Sequence, residues 1–291
     1  MKQLLVLSGK GGTGKTTVTN ALIELFQASG FADCDVDAPN LHLLQQDMKE
    51  QSRRAFFGMK VAMIDSEACI SCGMCEQNCA YKAISHNPIY QVDPFGCEGC
   101  GLCERICPVQ AIHMEDREVG LLQLQNNEKQ VFSTATLHMG SGNSGLLVTE
   151  VKKQLINNVK KGIVLIDGAP GIGCPVIASL SGVDGCLMVA EPTISGFSDL
   201  KRVIQTARGF HPIIFVCVNK YDINEEITNE IENYCQQEKL NFVGKIPYDP
   251  EIMKQLNEGR GLLCASWPSK RAVIRIFIHI KEIMGLSDNE E

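Results

Sequence analysis

The sequence has no long apolar run and no concentrated block of positive charge. None of the apolar runs in its 291 residues approaches the roughly 18 residues that a membrane-spanning helix requires. Lysine and arginine are scattered along the chain, and the formal net charge is −7 at pH 7. Nucleic-acid binding depends on a concentrated basic face, so we do not expect a nucleic-acid partner.

The start of the chain lacks the pattern of an export signal. Glycines and lysines begin at Gly9, so the apolar residues before them predict a buried strand rather than a signal peptide. We therefore expect a cytoplasmic protein. Residues 272–284 predict a closing helix packed on a sheet, and the alternative, an amphipathic membrane anchor, is disfavoured by the acidic residues after it. Those last residues, 287–291, predict disorder.

A phosphate-binding loop follows the first apolar run. It lies between a predicted strand and a predicted helix and fits G-x-x-x-x-G-K-[ST] with Gly9, Lys10, Gly11, Gly12, Thr13, Gly14, Lys15 and Thr16. The glycines let backbone N–H groups bind phosphate oxygens. Lys15 would contact the β and γ phosphates and Thr16 would bind Mg²⁺, with Thr17 beside it in the same ATP site. The alternative is a chance glycine-rich turn, which the strand–loop–helix context disfavours.

Apolar runs and helical patterns alternate along most of the chain. Runs typical of buried strands occupy residues 4–7, 31–35, 163–166, 185–189 and 213–218. Helical patterns occupy residues 16–27, 41–49, 146–159, 195–208 and 225–237. Continuous apolar strands separated by helices indicate a mainly parallel sheet covered on both faces, and residues 121–139 predict a hairpin. Asp167 ends one of these strands, where it would hold Mg²⁺ through water.

Cysteine is abundant, with 14 residues, of which eight lie between Cys69 and Cys107. Clustered thiols in a reducing compartment indicate a metal site rather than disulfides. The spacing is that of two bacterial-ferredoxin runs, in which three cysteines bind one 4Fe–4S cluster and the fourth binds the other. We assign the first cluster to Cys69, Cys72, Cys75 and Cys107, and the second to Cys97, Cys100, Cys103 and Cys79.

Two features qualify this assignment. Ala80 follows Cys79 where the ferredoxin pattern has proline, which could alter the local turn and potential. Zinc also binds paired C-x-x-C motifs, but two sets of four at this spacing suit 4Fe–4S clusters better. Two neighbouring clusters would form an electron-transfer path or a redox sensor.

These patterns divide the chain into three segments. We expect residues 1–60 and 119–291 to form one P-loop ATPase domain, and residues 61–118 to form an inserted two-cluster domain. The predicted fold is α/β, a P-loop NTPase of the SIMIBI type with a mainly parallel sheet and an inserted α+β bacterial-ferredoxin-like domain. The cofactors would be ATP, Mg²⁺ and two 4Fe–4S clusters.

The lysine after the first glycine of the loop, Lys10, resembles that of the deviant Walker motif. The chain is thus similar to the MinD/ParA/Mrp family, which includes the nitrogenase iron protein. The resemblance implies a homodimer with two nucleotides between the subunits, in which Lys10 contacts the partner's nucleotide and takes part in catalysis with Lys15.

The same resemblance implies further site residues. The segment from Asp33 to Leu41 is similar to the first switch of the family, and Asp35 matches its water-orienting aspartate. Asp37 is a weaker candidate, and helix capping ahead of Leu41 is the alternative for both. Residues 168–173, which follow Asp167, resemble the second switch.

The base of the nucleotide is expected at a different part of the chain. The segment from Asn219 to Asp222 reads N-K-x-D, which is also the guanine signature of GTPases. The deviant loop favours ATP, with Asn219 on the adenine edge. Pro247 and Tyr248 are similar to a family loop that closes over the base.

Six cysteines lie outside the two runs. They are Cys34, Cys174, Cys186, Cys217, Cys235 and Cys264, and for most of them a small buried apolar residue is the default interpretation. Cys174 lies seven residues after Asp167, the offset at which the nitrogenase iron protein carries a cluster ligand. The hypothesis is that Cys174 faces the dimer interface and couples nucleotide state to redox chemistry.

Three functions are compatible with these motifs. In the first, ATP hydrolysis, stimulated by a partner, closes the dimer and gates electron transfer through the clusters to an unidentified redox protein. In the second, the chain is an ATP-dependent carrier of iron–sulfur clusters or metal, as Mrp-type relatives suggest. A positioning ATPase like MinD is a third, weaker interpretation.

Overall fold

A nine-stranded sheet organises this computed structural model, which describes residues 1–45, 47–264 and 267–286. In chain order the strands are β1 (Lys2–Leu7), β2 (Gly30–Asp33), β3 (Lys49–Phe57), β4 (Val61–Ile64), β5 (Ile84–His86), β6 (Tyr90–Val92), β7 (Ile112–Glu115), β8 (Glu118–Asn126), β9 (Val131–Leu137), β10 (Ile163–Asp167), β11 (Gly185–Ala190), β12 (Ile213–Asn219) and β13 (Asn241–Ile246). The α-helices are α1 (Lys15–Leu25), α2 (Met74–Gln77), α3 (Leu102–Ile106), α4 (Ser144–Asn158), α5 (Cys174–Leu180), α6 (Ile194–Arg208), α7 (Glu225–Gln237), α8 (Glu251–Asn257) and α9 (Trp267–Ile283).

The strand order across the sheet is β13-β12-β11-β1-β10-β2-β9-β8-β3. Every neighbouring pair from β13 to β9 is parallel, whereas β8 pairs antiparallel with both β9 and β3. In this register Asp167 lies between Val6 and Asp33. The carboxyl ends of β1, β10 and β2 therefore meet at one edge of the sheet, where α/β proteins bind ligands.

The central strands are apolar on both faces because helices cover both faces. Leu5 and Leu7 of β1 pack into one buried cluster, and Leu4 and Val6 pack into the other. This arrangement confirms the predicted α/β class and its mainly parallel sheet. The predicted hairpin at residues 121–139 is also present, as β8 and β9.

The predicted helix at residues 41–49 is wrong. Only a 3₁₀ turn, Leu41–Leu44, forms there, and Lys49 already begins strand β3. Most of β3 is exposed, so its own sequence gives no buried-strand pattern, and pairing with β8 decides its conformation. The edge strand β13 and the helices α5 and α8 were likewise not predicted. The prediction of disorder at 287–291 lies outside the described residues.

The cysteine-rich segment leaves the sheet after β3 and returns to it at β8. Residues 58–117 form two small antiparallel sheets, β4 with β7 and β5 with β6, and the short helices α2 and α3. The Gly58 amide donates to the Arg117 carbonyl at 3.1 Å, which joins the two ends of the segment. Both connections between the cysteine-rich segment and the large sheet therefore run through the antiparallel pair β3 and β8.

No helix within the described stretches of the chain has the length and apolarity needed to cross a bilayer.

Truncation of a buried aromatic residue should lower the free energy of unfolding far more than truncation of an exposed one. Phe132 is fully buried and stacks on Phe31 with 4.7 Å between ring centroids. We expect Phe132→Ala to lower the free energy of unfolding by about 3–5 kcal/mol, because a large cavity forms. Phe57→Ala, at a side chain that is 54% exposed, should change it by less than about 0.5 kcal/mol. Urea unfolding monitored by circular dichroism measures both, and equal effects would contradict this description of the core.

Candidate functional site

The loop between β1 and α1 forms an open cradle of backbone. Gly12 and Gly14 have positive φ angles of 80° and 88°, which glycine adopts without strain. Apart from the adjoining residues of the loop, no heavy atom of the described residues lies within 4 Å of where a Cβ on Gly11 or Gly12 would be. The buried hydroxyl of Thr13 has no hydrogen-bond partner among the described residues. A cradle with an unsatisfied hydroxyl fits a ligand rich in oxygen atoms, such as a phosphate chain.

This cradle opens into a cavity of about 290 Å³. Asp35, Asn219, Pro247 and Tyr248 line it together with loop residues 11–17. The apolar side chains of Ile252, Met253, Leu256 and Leu262 also line it. Gly9 does not line the cavity; a Cβ there would lie 2.5 Å from Cβ of Asp199, so Gly9 allows α6 to approach the loop closely.

Asp167 connects the strand β10 to the loop and to α1. Its fully buried carboxylate lies 2.8 Å from the Lys15 ammonium. The hydroxyls of Thr16 and Thr19 donate to it at 2.6 and 2.8 Å. The structure thus brings the predicted residues Lys15, Thr16 and Asp167 together, and Thr16 and Asp167 are the oxygen donors that could hold Mg²⁺.

Asp33 fixes the segment that carries Asp35, a role that the sequence analysis missed. Its carboxylate accepts hydrogen bonds from the backbone amides of Asp35, Asn40 and Leu41 at 2.9–3.0 Å. Burial raises the pKa of Asp33, and the nearby charge of Asp167 raises it further. Burial also raises the pKa of Asp35, which is half-buried at the cavity wall. The D-x-D spacing at the end of β2 was the available signal for Asp33.

Lys10 is held away from the cavity of its own chain. Its ammonium lies 3.0 Å from the Glu191 carboxylate and donates to the Thr193 hydroxyl at 3.2 Å. Glu191 also pairs with Lys220 at 2.9 Å. Burial pushes the pKa of Glu191 upward, but the hydrogen bonds and charges of Lys220 and Lys10 outweigh it and the pKa is lowered. Glu191 therefore remains a carboxylate shared by two lysines.

The residues that the sequence predicts to contact the nucleotide base make hydrogen bonds that position the walls of the cavity. The Asn219 amide donates to the Thr13 carbonyl at 2.7 Å, and its oxygen accepts from the Lys220 amide at 3.0 Å. The Asp222 carboxylate accepts from the backbone amide of Tyr248 at 2.7 Å. Asp222 thereby positions the segment that contains Pro247 and Tyr248, both of which line the cavity.

Two further cavities lie in the cysteine-rich segment, and each is lined by four cysteines. One has Cys69, Cys72, Cys75 and Cys107, and the other has Cys79, Cys97, Cys100 and Cys103. Each cavity therefore receives three thiols from one run and one from the other run. In residues 1–45, 47–264 and 267–286, no group of three or more His, Cys, Asp or Glu side chains is arranged to hold a single metal ion.

The fourth cysteine of each run has the same surroundings. The Ala83 amide donates to the Cys79 sulfur at 3.4 Å, and the Ala111 amide donates to the Cys107 sulfur at 3.3 Å. In both runs the donor lies four residues after the cysteine. Amide donors to sulfur are among the features that tune iron–sulfur clusters in proteins.

The remaining cysteines differ in exposure. Cys34, Cys186, Cys217 and Cys235 are buried, and Cys174 and Cys264 are exposed. Burial raises the pKa of Cys34 and of Cys217 to about 12, so neither is a reactive thiolate at neutral pH. Cys174 begins α5 directly after the second predicted switch and lies against Gly145.

Comparison with known proteins supplies the context of this site. The family described as the CobQ/CobB/MinD/ParA nucleotide binding domain matches residues 4–263. An uncharacterized protein of Methanocaldococcus jannaschii, MJ0578, is 33% identical over 91% of this chain and 90% of its own length. An uncharacterized ATP-binding protein of that organism, MJ0547, is 29% identical over 39% of this chain and 44% of its own length. The septum site-determining protein MinD of Pyrococcus horikoshii, solved with Mg-ADP, is similar in fold with a TM-score of 0.60, 18% identity and 99% coverage of both chains.

Substitution of Gly14 should test the close packing of the loop on Asn219. A Cβ at Gly14 would lie 2.3 Å from Nδ2 of Asn219, and the backbone there has φ of 88°. Gly182 has φ of 75° but open space around it. We expect Gly182→Ala to lower the free energy of unfolding by about 1–2 kcal/mol. Gly14→Ala should cost about 1–3 kcal/mol more, because the clash adds to the backbone strain.

Urea unfolding measures both free energies, and a fluorescent ATP analogue measures nucleotide affinity in parallel. Only Gly14→Ala should also weaken binding of the analogue. Equal stabilities of the two variants, with unchanged nucleotide affinity, would refute the close contact.

Proposed function

Because this chain belongs to the CobQ/CobB/MinD/ParA family of nucleotide-binding domains, we propose that it is an ATPase whose nucleotide cycle controls electron transfer through two 4Fe–4S clusters. The observation that carries the proposal is the presence, in one chain, of a phosphate cradle beside Asp167 and of two cavities lined by four cysteines each. Membership of the family supports the ATPase part of the proposal. The two cysteine-lined cavities support the part that concerns the clusters.

The loop residues have defined tasks in the proposed nucleotide site. The backbone amides of residues 11–16 bind the phosphate oxygens, and Lys15 exchanges its contact with Asp167 for the β and γ phosphates. Thr16 and Asp167 would hold Mg²⁺, and the bound ion would neutralise charge on the phosphoryl oxygens. Asp35, kept at the cavity wall by Asp33, orients the attacking water.

The geometry favours adenine over guanine. In the guanine signature the aspartate of N-K-x-D binds the base, but here Asp222 accepts a hydrogen bond from the Tyr248 backbone. The lining of the cavity includes apolar side chains, among them Ile252 and Leu256. An apolar slot closed by Pro247 and Tyr248, with Asn219 at its edge, suits the flat face of adenine.

The inserted domain is proposed to be residues 61–118, between ATPase segments 1–60 and 119–291. The two cavities fit the crosswise ligand sets: Cys69, Cys72, Cys75 and Cys107 for one cluster, and Cys79, Cys97, Cys100 and Cys103 for the other. Bound clusters would store and pass single electrons. The amides of Ala83 and Ala111 would stabilise the thiolate form of the cysteine that each run contributes to the other cluster.

The functional form is proposed to be a homodimer. Three isoleucines are exposed: Ile172 in the second switch, Ile177 in α5 and Ile194 at the start of α6 are 38%, 45% and 84% exposed. In the proposed dimer Lys10 contacts the partner's nucleotide, so it must first separate from Glu191. Dimer closure therefore competes with the Lys10–Glu191 ion pair within each chain. Only a stronger anion, such as a phosphate chain, can replace Glu191 as the partner of Lys10.

Substitution of Asp35 should separate nucleotide binding from hydrolysis. Asp35→Ala removes the group that orients water, so we expect the rate of ATP hydrolysis to fall by about a hundredfold or more. Affinity for Mg-ATP should change little. Asp37→Ala is the matched control, because Asp37 is exposed and two residues away. Phosphate release and equilibrium binding are the measurements, and equal hydrolysis by both variants would remove Asp35 from the mechanism.

Anaerobic isolation should test the clusters and their coupling to ATP. We expect about eight iron and eight sulfide per chain, with the absorption and paramagnetic spectra of 4Fe–4S clusters. The rate of ATP hydrolysis should differ between the oxidised and the reduced protein, because nucleotide and redox states are linked.

The controls use two exposed cysteines. Cys100→Ser should lose about half of the iron, whereas Cys264→Ser should keep all of it. Protein without sulfide, or a hydrolysis rate independent of redox state, would contradict the proposal. Transfer of intact clusters to an apo-protein acceptor would instead favour the alternative function of cluster carrier.

A further inference from the structure

One loop lies next to both predicted switch segments, residues 33–41 and 168–173, and also contacts the cysteine-rich segment. This connecting loop, residues 138–145, runs from the end of β9 to the start of α4. Its backbone is held internally by a hydrogen bond from the Ser141 amide to the His138 carbonyl at 2.9 Å. The His138 amide also donates to the Val119 carbonyl at 2.8 Å, next to the end of the cysteine-rich segment. The loop therefore has a defined conformation.

On the nucleotide side the loop is attached at both ends. Before it, the Leu137 amide donates to the carbonyl of Val36, the residue after Asp35, at 2.8 Å. At its end, a Cβ on Gly145 would lie 3.2 Å from Cβ of Cys174, the residue after the second switch. The loop is therefore hydrogen-bonded to the first switch at one end and lies close to the second switch at the other, so we expect a shift of either switch to act on the loop.

On the other side the loop contacts the cysteine-rich segment at two points. The Asn143 side-chain oxygen accepts from the Met59 amide at 3.3 Å. Gly140 lies beside the ring of Phe95, where an added Cβ would be 3.3 Å from the nearest ring carbon. The guanidinium of Arg117 covers the same ring at 4.5 Å from its centroid. Phe95 therefore lies close to both the loop and Arg117.

Both contacts involve residues next to the same cysteine-bearing turn, Cys97–Cys103. Gly99, between Cys97 and Cys100, packs against Met59 and Lys60, where an added Cβ would be 2.4 Å from the Lys60 carbonyl oxygen. Phe95 lies two residues before Cys97. The other turn, which carries Cys69, Cys72 and Cys75, has its Gly73 beside the Tyr90 hydroxyl, inside the cysteine-rich segment.

We infer that nucleotide state is transmitted through the connecting loop to the Cys97–Cys103 turn and not to the Cys69–Cys75 turn, with Asn143 as the positioning residue. The inference rests on the proposed nucleotide cycle, and it selects which of the two four-cysteine cavities responds. Asn143 is suited to this role because it has φ of 73°, a conformation that directs its side chain back to Met59 while α4 begins at the next residue.

Hydrogen–deuterium exchange of the full chain tests the inference directly. The backbone amides of residues 97–103 and 69–75 are compared with Mg-ADP and with a magnesium complex of a non-hydrolysable ATP analogue. In the unmodified protein we expect the exchange rates at 97–103 to differ about fivefold or more between the two nucleotides. Rates at 69–75 should be unchanged.

Two variants should abolish this difference without loss of nucleotide binding. Asn143→Gly keeps the positive φ and removes the oxygen that binds Met59. Phe95→Ala removes the ring beside Gly140, and its side chain is 60% exposed, so folding should tolerate the change. Met139→Ala is the matched control, since Met139 belongs to the same loop but is 97% exposed.

The outcomes separate this inference from the proposed function. Protection of residues 9–17 by nucleotide, with no response at 97–103, overturns the transmission and leaves the ATPase proposal standing. An equal response of both cysteine turns, or a full response in both Asn143→Gly and Phe95→Ala, also overturns it. Absence of any protection at 9–17 contradicts the proposed function itself.

Discussion

The buried carboxylate of Asp167 is the interaction on which the nucleotide side of this protein depends. It has no exposure to solvent and is compensated by Lys15, Thr16 and Thr19. Removing one partner of a buried ion pair typically costs about 3–5 kcal/mol, because the remaining charge is left uncompensated. These contacts tie β10 to the loop and to α1, so the position of the phosphate cradle follows from the position of one strand end.

A second buried carboxylate extends this arrangement to the next strand. Asp33 lies beside Asp167 in the parallel register and uses three backbone amides for compensation instead of a cation. Burial raises the pKa of Asp33, and the neighbouring charge of Asp167 raises it further. Any change in charge near Asp167 therefore also acts on the segment that holds Asp35.

The cysteine-rich segment is joined to the rest of the fold by few elements, and this affects how it can move. Its two ends continue from β3 and into β8, the antiparallel pair at the edge of the large sheet. Contacts with the rest of the chain concentrate at Met59, Phe95 and the connecting loop. A segment attached at one edge can respond to the switch segments without disturbing the parallel core, because little buried surface has to be rearranged.

The sequence by itself determined what depends on short spacings: the cradle after β1, the alternation that specifies a mainly parallel sheet, and the two cysteine runs. In these cases the local backbone decides which groups can face the same point. Only the tertiary structure decided the strand conformation of β3, the pairing of Lys10 with Glu191 and the contact of Asp222 with the Tyr248 backbone. Each of these joins residues far apart in the chain, and such contacts depend on strand order and register, which no local pattern encodes.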